Sequence, residues 1–166
     1  MSTKKYIQSK EELMEKFDFE LLLKEIHENK LTVQDFCLLQ EAVGFGKPNI
    51  KQTELCLKNS LYSLSIEVDG RTVGMGRIIG DGARNFYIQD VNVHPDYQGQ
   101  GIGKTIVKNL LLHINEYTDN LDLKGCRLQI GLMAAKGKES FYEPFGFKKR
   151  PNDSQGNGMT LIVIKE

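Results

Sequence analysis

The chain has 166 residues, enough for one domain with a sizeable core and too few for two of ordinary size. Apolar residues make up 40% and charged residues 27%, and 22 basic side chains match 22 acidic ones, so no global field draws the chain to nucleic acid or to an anionic membrane. Cys37, Cys56 and Cys126 are widely spaced and form no C-x-x-C pair, which speaks against a disulfide framework or a metal site and for a reducing compartment.

Residues 1–17, "MSTKKYIQSKEELMEKF", are charged and weakly patterned, a frayed lead-in or an accessory segment without the apolar run of a secretory signal. The apolar run Leu161–Ile164 is far too short to span a bilayer, and a cytoplasmic protein is expected. "FELLLKEI", Phe19 to Ile26, fits a strand or a helical turn equally. "LTVQDFCLLQEAVGFG" predicts a helix: Thr32 can cap it, Val33, Phe36, Leu39 or Gln40, and Val43 fall at helical spacing, and Gly44 ends it. A second short helix is expected over Lys51–Lys58. Then the period changes, and "SLYSLSIEVDGRTVGMGRIIGDG" reads as two strands joined by a tight turn at Asp69-Gly70.

In "NFYIQDVNVHP" the alternation slips, because Phe86 and Ile88 share a face but Val91 and Val93 lie an odd number of positions further on. A bulge at Asp90–Val91 explains the slip, and so does a strand buried on both faces. From Gly101 a helix is indicated, with Ile102, Ile106, Val107, Leu110, Leu111, Ile114 and Tyr117 on one stripe. "CRLQIGLMAA", Cys126–Ala135, reads as a buried strand and "KGKESFY", Lys136–Tyr142, as a short helix stopped by Pro144. "NGMTLIVI" supplies a last strand, whose exposed edge offers a route to a homodimer. The order describes one α/β domain over 1–166 with a mixed sheet.

The stretch "VHPDYQGQGIGKTIV" carries the chemistry. A loop that bares its amides at a helix N-terminus suits an anion, since the orphan N–H groups and the helix dipole both favour negative charge. The dinucleotide fingerprint G-x-G-x-x-G fails, because Lys104 stands where its third glycine belongs. The nucleotide loop G-x-x-x-x-G-K-[ST] fits at Gly103-Lys104-Thr105 but needs a glycine at Gln98. A glycine-rich turn with no ligand is the third alternative, at an entropic cost that three glycines make large.

The run Gln98-Gly-Gln-Gly-Ile-Gly103 after "VNVHPDY" resembles the coenzyme A signature Q/R-x-x-G-x-G/A of the GNAT N-acetyltransferase superfamily. The resemblance extends through the hairpin, the "YIQDVNV" strand, the loop and its helix, and "GLMAAKGKESFYEPFGF", from about Leu31 to Ile164. It implies a mixed, mostly antiparallel sheet splayed in the middle and flanked by helices. It further implies acetyl-coenzyme A as co-substrate, with its pyrophosphate held by Gln98, Gly99, Gln100, Gly101, Ile102, Gly103 and Lys104. The pantetheine arm would then lie along the backbone of Val91, Asn92 and Val93. Tyr142 is the candidate acid for the leaving thiolate, with a core aromatic among Phe141, Phe145 and Phe147 as the alternative. Asp90 is the candidate base for the amine, or else it pins the bulge. Phe45 and Tyr87 are the candidate walls of the acceptor end. The function implied is acetylation of a primary amine on a small molecule, without metal, nucleic acid or membrane. The alternatives are a non-catalytic acyl-coenzyme A sensor and a transferase acting on protein amines.

Overall fold

A computed structural model describes residues 25–123 and 125–164, so the expectations for residues 1–17 and most of "FELLLKEI" lie outside the described residues. Two units succeed one another along the chain, with the boundary between Met133 and Ala134.

In the first unit, strand β1 (Glu25–Glu28) precedes two helices, α1 (Val33–Ala42) and α2 (Ile50–Lys58). Thr32 caps α1 by accepting from the Asp35 amide, and Asn49 caps α2 by accepting from the Gln52 amide. The hairpin of β2 (Tyr62–Val68) and β3 (Arg71–Gly80) turns at Asp69 and Gly70, both at positive φ, as a two-residue primed turn requires. Strand β4 (Asn85–Val93) follows a turn closed by Asp81, whose carboxylate accepts from the amides of Ala83, Arg84 and Asn85. Those bonds hold the Asp81 carboxyl well below its ordinary range. Helix α3 (Ile102–Asp119) and strand β5 (Gln129–Leu132) complete the unit. The sheet order is β1-β2-β3-β4-β5, antiparallel as far as β4, with β5 parallel to β4.

Helix α3 lays its stripe on one face of the sheet. Ile102, Ile106, Val107, Leu110 and Ile114 are essentially inaccessible. The close approach depends on two glycines of β3: a Cβ on Gly76 would stand 2.6 Å from Ile106 Cγ2, and one on Gly74 would stand 2.8 Å from Ile102 Cγ2. Replacing Gly76 by Val is therefore expected to lower stability by about 1–3 kcal/mol through overpacking, read as a shift of the urea midpoint at constant slope. On the other face, Leu31, Phe36 and Leu39 pack against Met75.

Beside α3 the Tyr62 ring, 1% exposed, stacks on His113 at 3.7 Å between centroids. Burial pushes the Tyr62 phenol well above its ordinary value, and the neighbouring Glu28 carboxylate adds to the shift. The folded chain keeps this proton where the unfolded chain has released it. Stability is therefore expected to fall as pH rises past about 10, by up to about 1.4 kcal/mol per pH unit from this one group. Urea unfolding between pH 9 and 11 checks this, and Tyr62→Phe should flatten the decline.

In the second unit, helix α4 (Glu139–Tyr142) runs into a 3-10 turn, Glu143–Phe145, where Pro144 ends regular helix. Three expectations need correction. Strand β5 covers four residues and is half-buried, against a buried strand over Cys126–Ala135. Helix α4 starts at Glu139 and not at Lys136, because Gly137 takes a left-handed turn at φ +81°. "NGMTLIVI" is not a strand: Met159, Leu161, Ile162 and Ile164 are 83–93% exposed, and no ladder partner pairs with them among the described residues. β-propensity expresses itself through a neighbouring strand, and this segment has none.

Candidate active site

The ladder between β3 and β4 slips where the hydrophobic alternation does. Arg77 pairs with Gln89 and Met75 with Asn92, so Asp90 and Val91 together face Gly76. Asp90 sits at φ +52°, the left-handed region, and the expected bulge at Asp90–Val91 is present. On its other side β4 pairs with β5 only from Asn85 to Ile88. The last pair of that ladder among the described residues is Ile88 with Leu132, and the bulge lies just beyond it.

Such a φ at a non-glycine residue costs about 1–3 kcal/mol. The side chain of Asp90 offsets it. Oδ2 accepts from Arg77 Nε at 2.7 Å and also meets Arg77 Nη2, while Oδ1 accepts from Gln40 Nε2 at 2.9 Å. Charge-assisted bonds of this kind contribute about 1.5–3 kcal/mol each. Of the two roles open to Asp90, these side-chain partners suit holding the bulge.

The loop begins directly at the end of β4. His94 accepts from the Asp96 amide through Nδ1 and caps the turn Pro95–Tyr97. Gln98 donates its side-chain amide to the Val93 carbonyl at 3.0 Å, and Gln100 donates to the Asp96 carbonyl at 3.3 Å, so both glutamines brace the loop. Gly99 and Gly101 lie at φ +78° and +79°, and a Cβ on either would meet nothing within 4 Å. Gly101 is the N-cap of α3 and offers no side-chain acceptor, and no acidic residue stands in the first turn. The first-turn amides of Ile102 and Gly103 point out of the start of the helix, where the dipole is positive. Ile102 buries its side chain in the core, leaving only its backbone to the site, and Lys104 is exposed. An open, unshielded, dipole-favoured cradle fits a pyrophosphate.

The remaining candidates divide. Asn92 is 5% exposed, and its Nδ2 is buried without a hydrogen-bond partner. Tyr87 lies on the sheet face that carries Arg77 and Met75, paired across to Ile79, and its ring passes over Gly131 of β5, where a Cβ would come within 3.2 Å. Phe45 is 65% exposed in the turn after α1. In the second unit, Tyr142 is half-buried with Phe141 and Phe147 edge-on to its ring, and burial raises its phenol above the ordinary value.

Sequence reading missed Arg77 and Gln40. The signal was present, a lone cation in "GMGRIIG" and a glutamine on the apolar side of α1, but only tertiary structure pairs them. Among the described residues one His/carboxylate group has metal-like spacing: Glu25, His27 and Glu67 on β1 and β2, with His27 Nε2 3.4 Å from each carboxylate. It lies away from β4.

A mixed sheet with a bulged fourth strand, followed by a glycine loop and a long helix, defines a fold of acetyltransferase type. A family model described as an acetyltransferase (GNAT) domain matches residues 59–149, and the chain belongs to that family of acyltransferases. It is 31% identical to the uncharacterized N-acetyltransferase ycf52 of Pyropia yezoensis, over 71% of this chain and 66% of that protein. It is 32% identical to GCN5-related N-acetyltransferase 1, chloroplastic, of Arabidopsis thaliana, over 69% and 55%. The solved structure of a GNAT-family acetyltransferase from Streptococcus pneumoniae shares 27% identity at a TM-score of 0.69, covering 84% of this chain and 98% of that one. The chain thus spans less than two thirds of the length of these two curated relatives. No helix among the described residues is long and apolar enough to cross a membrane.

Proposed function

We propose that the chain is an N-acetyltransferase that moves the acetyl group of acetyl-coenzyme A to a primary amine of a small-molecule acceptor, by direct attack with both substrates bound. The observation that carries this proposal is the bulge at Asp90–Val91 near the end of β4, followed after one turn by the glycine loop at the start of α3. When bound, acetyl-coenzyme A supplies the acetyl group as an activated thioester.

The residues of this chain supply the rest. The loop amides from Gly99 to Lys104 hold the pyrophosphate, with the Lys104 ammonium adding positive charge, while Gln98 braces the loop through its own amide on the Pro95 carbonyl and its side chain on the Val93 carbonyl. The backbone edge of Val91, Asn92 and Val93 takes the amide arm, and an N–H freed by the bulge stabilises the carbonyl oxygen as it becomes negative. Tyr142, kept neutral by burial, donates a proton to the departing thiolate. Asp90, with both oxygens engaged, holds the bulge, and the amine's proton leaves through water. Phe45 and Tyr87 wall the acceptor end, which suits a compact amine. The free cysteines suit a reducing compartment such as the cytoplasm.

Incubating the purified chain with acetyl-coenzyme A and a panel of amines, while following free thiol, tests this. At least one small primary amine should raise thiol release above the amine-free rate and be recovered acetylated. Turnover of lysine peptides alone would move the acceptor to protein amines. Coenzyme A binding with no turnover of any amine would leave the sensor alternative.

A further inference from the structure

Arg77 is 7% exposed in the middle of β3, and three other elements, β4, α1 and α2, converge on its guanidinium. Nε and Nη2 grip the Asp90 carboxylate at the β4 bulge. Nη1 donates to Ser60 Oγ at 2.8 Å and to the Cys56 carbonyl at 3.0 Å, an acceptor in the last turn of α2, where the helix dipole favours a cation. The Ser60 hydroxyl donates to that same carbonyl, so the α2 terminus is closed around the arginine. The Phe36 ring of α1 lies 5.6 Å from the guanidinium carbon. Gln40, also on α1, binds the other Asp90 oxygen.

A buried charge on a strand needs compensation, and the carboxylate that supplies it here lies at the β4 bulge. The carboxylate clasped by Arg77 belongs to the residue at positive φ that makes the bulge. The bulge sits just past the last β4–β5 pair, Ile88 with Leu132.

We propose that Arg77 is the positioning residue of the catalytic slot: through Asp90 it holds the bulge in its strained conformation, and through Phe36 and Gln40 it ties that conformation to the seat of α1. The catalytic half of this rests on the acetyltransferase proposal. The mechanical half does not. Helix α1 and the bulge then move together, so an acceptor that settles against α1 also sets the thioester edge. Arg is needed and Lys does not replace it, because only the planar fork reaches Asp90, Ser60 and the α2 carbonyl at once.

The test compares Gln40→Met, Asp90→Asn, Arg77→Lys and Arg77→Met with the unaltered chain by three readouts. These are coenzyme A affinity by calorimetry, kcat over a pH series, and amide hydrogen exchange across residues 89–93. Gln40→Met and Asp90→Asn should lower kcat at least tenfold, keep the coenzyme A Kd within threefold, and speed exchange across the bulge at least tenfold. The shape of the kcat–pH profile should persist in Asp90→Asn at a lower plateau. Arg77→Lys should fall between the unaltered chain and Arg77→Met, and if Arg77→Met does not fold, the other three variants decide. Unaltered kcat and exchange in Gln40→Met and Asp90→Asn would overturn the proposal. So would loss of the acidic limb in Asp90→Asn with normal exchange, which would make Asp90 the base. An unaltered chain that binds no coenzyme A would sink the acetyltransferase proposal and the catalytic half with it, while the exchange comparison still decides whether Arg77 holds the bulge.

Discussion

Tyr142→Phe is expected to lower kcat by about 10²-fold at neutral pH while leaving coenzyme A affinity and the melting temperature nearly unchanged. A positioned acid contributes about 10²–10⁴-fold, and the lower end applies because a thiolate leaves more readily than an alkoxide or an amide. A phenol near 10 donating to a thiol near 8.5 already runs uphill by roughly 2 kcal/mol, and burial raises the Tyr142 phenol further. The raised value has two consequences. The phenol stays protonated across the whole neutral range, and donation becomes harder, so the proton moves only as charge builds on sulfur. The defect should therefore shrink for an acyl donor whose thiol is more acidic, because that leaving group needs less help. Removing one hydroxyl from a ring already held by Phe141 and Phe147 opens no cavity, so folding is spared. Steady-state kinetics with two donors of different thiol acidity check this. An unchanged kcat would return Tyr142 to the role of a core aromatic.

Gly101→Val should weaken coenzyme A binding by at least tenfold and destabilise the fold by about 1–2 kcal/mol. The residue sits at φ +79°, where a β-branched side chain is strained by about that amount. Nothing stands within 4 Å of the added Cβ, so no clash within the protein contributes. The strain relaxes by turning the N-cap out of its left-handed conformation, which re-aims the first-turn amides of α3 away from the cradle. Binding should suffer more than kcat at saturation, because the loop holds the far end of the ligand and not the reacting carbonyl. Calorimetric titration of coenzyme A with the variant reads the first effect and urea unfolding the second. Affinity equal to that of the unaltered chain would remove the loop from the site.

Where local chemistry decided, the sequence was enough. Asp69-Gly70 demanded a primed turn, Thr32 could cap only a helix beginning at Val33, and every residue of the α3 stripe but the exposed Tyr117 became core. The bulge was readable for a subtler reason: two valines out of step with Phe86 and Ile88 cannot reach one face without an extra residue. What escaped was non-local. Nothing near Arg77 in the chain announces a carboxylate thirteen positions on or a helix carbonyl twenty-one positions back. Strand β5 pairs with β4 only from Gln129 to Leu132, a limit that no local pattern in "CRLQIGLMAA" marks. "MTLIVI" has every local mark of a strand, and among the described residues it joins no sheet ladder. The bulge and the loop at the start of α3 were thus legible in the sequence, and the buried pair that holds the bulge was not.

The most direct measurement is thermal unfolding of the purified chain with coenzyme A or with ATP at equal concentration. A ligand bound only to the folded chain adds about 2.7 kcal/mol at one hundred times its Kd. Coenzyme A should raise the melting temperature with a concentration dependence that follows its calorimetric affinity, and ATP should leave it in place. A shift with ATP and none with coenzyme A would contradict the account, and would hand the glycine loop to a nucleotide.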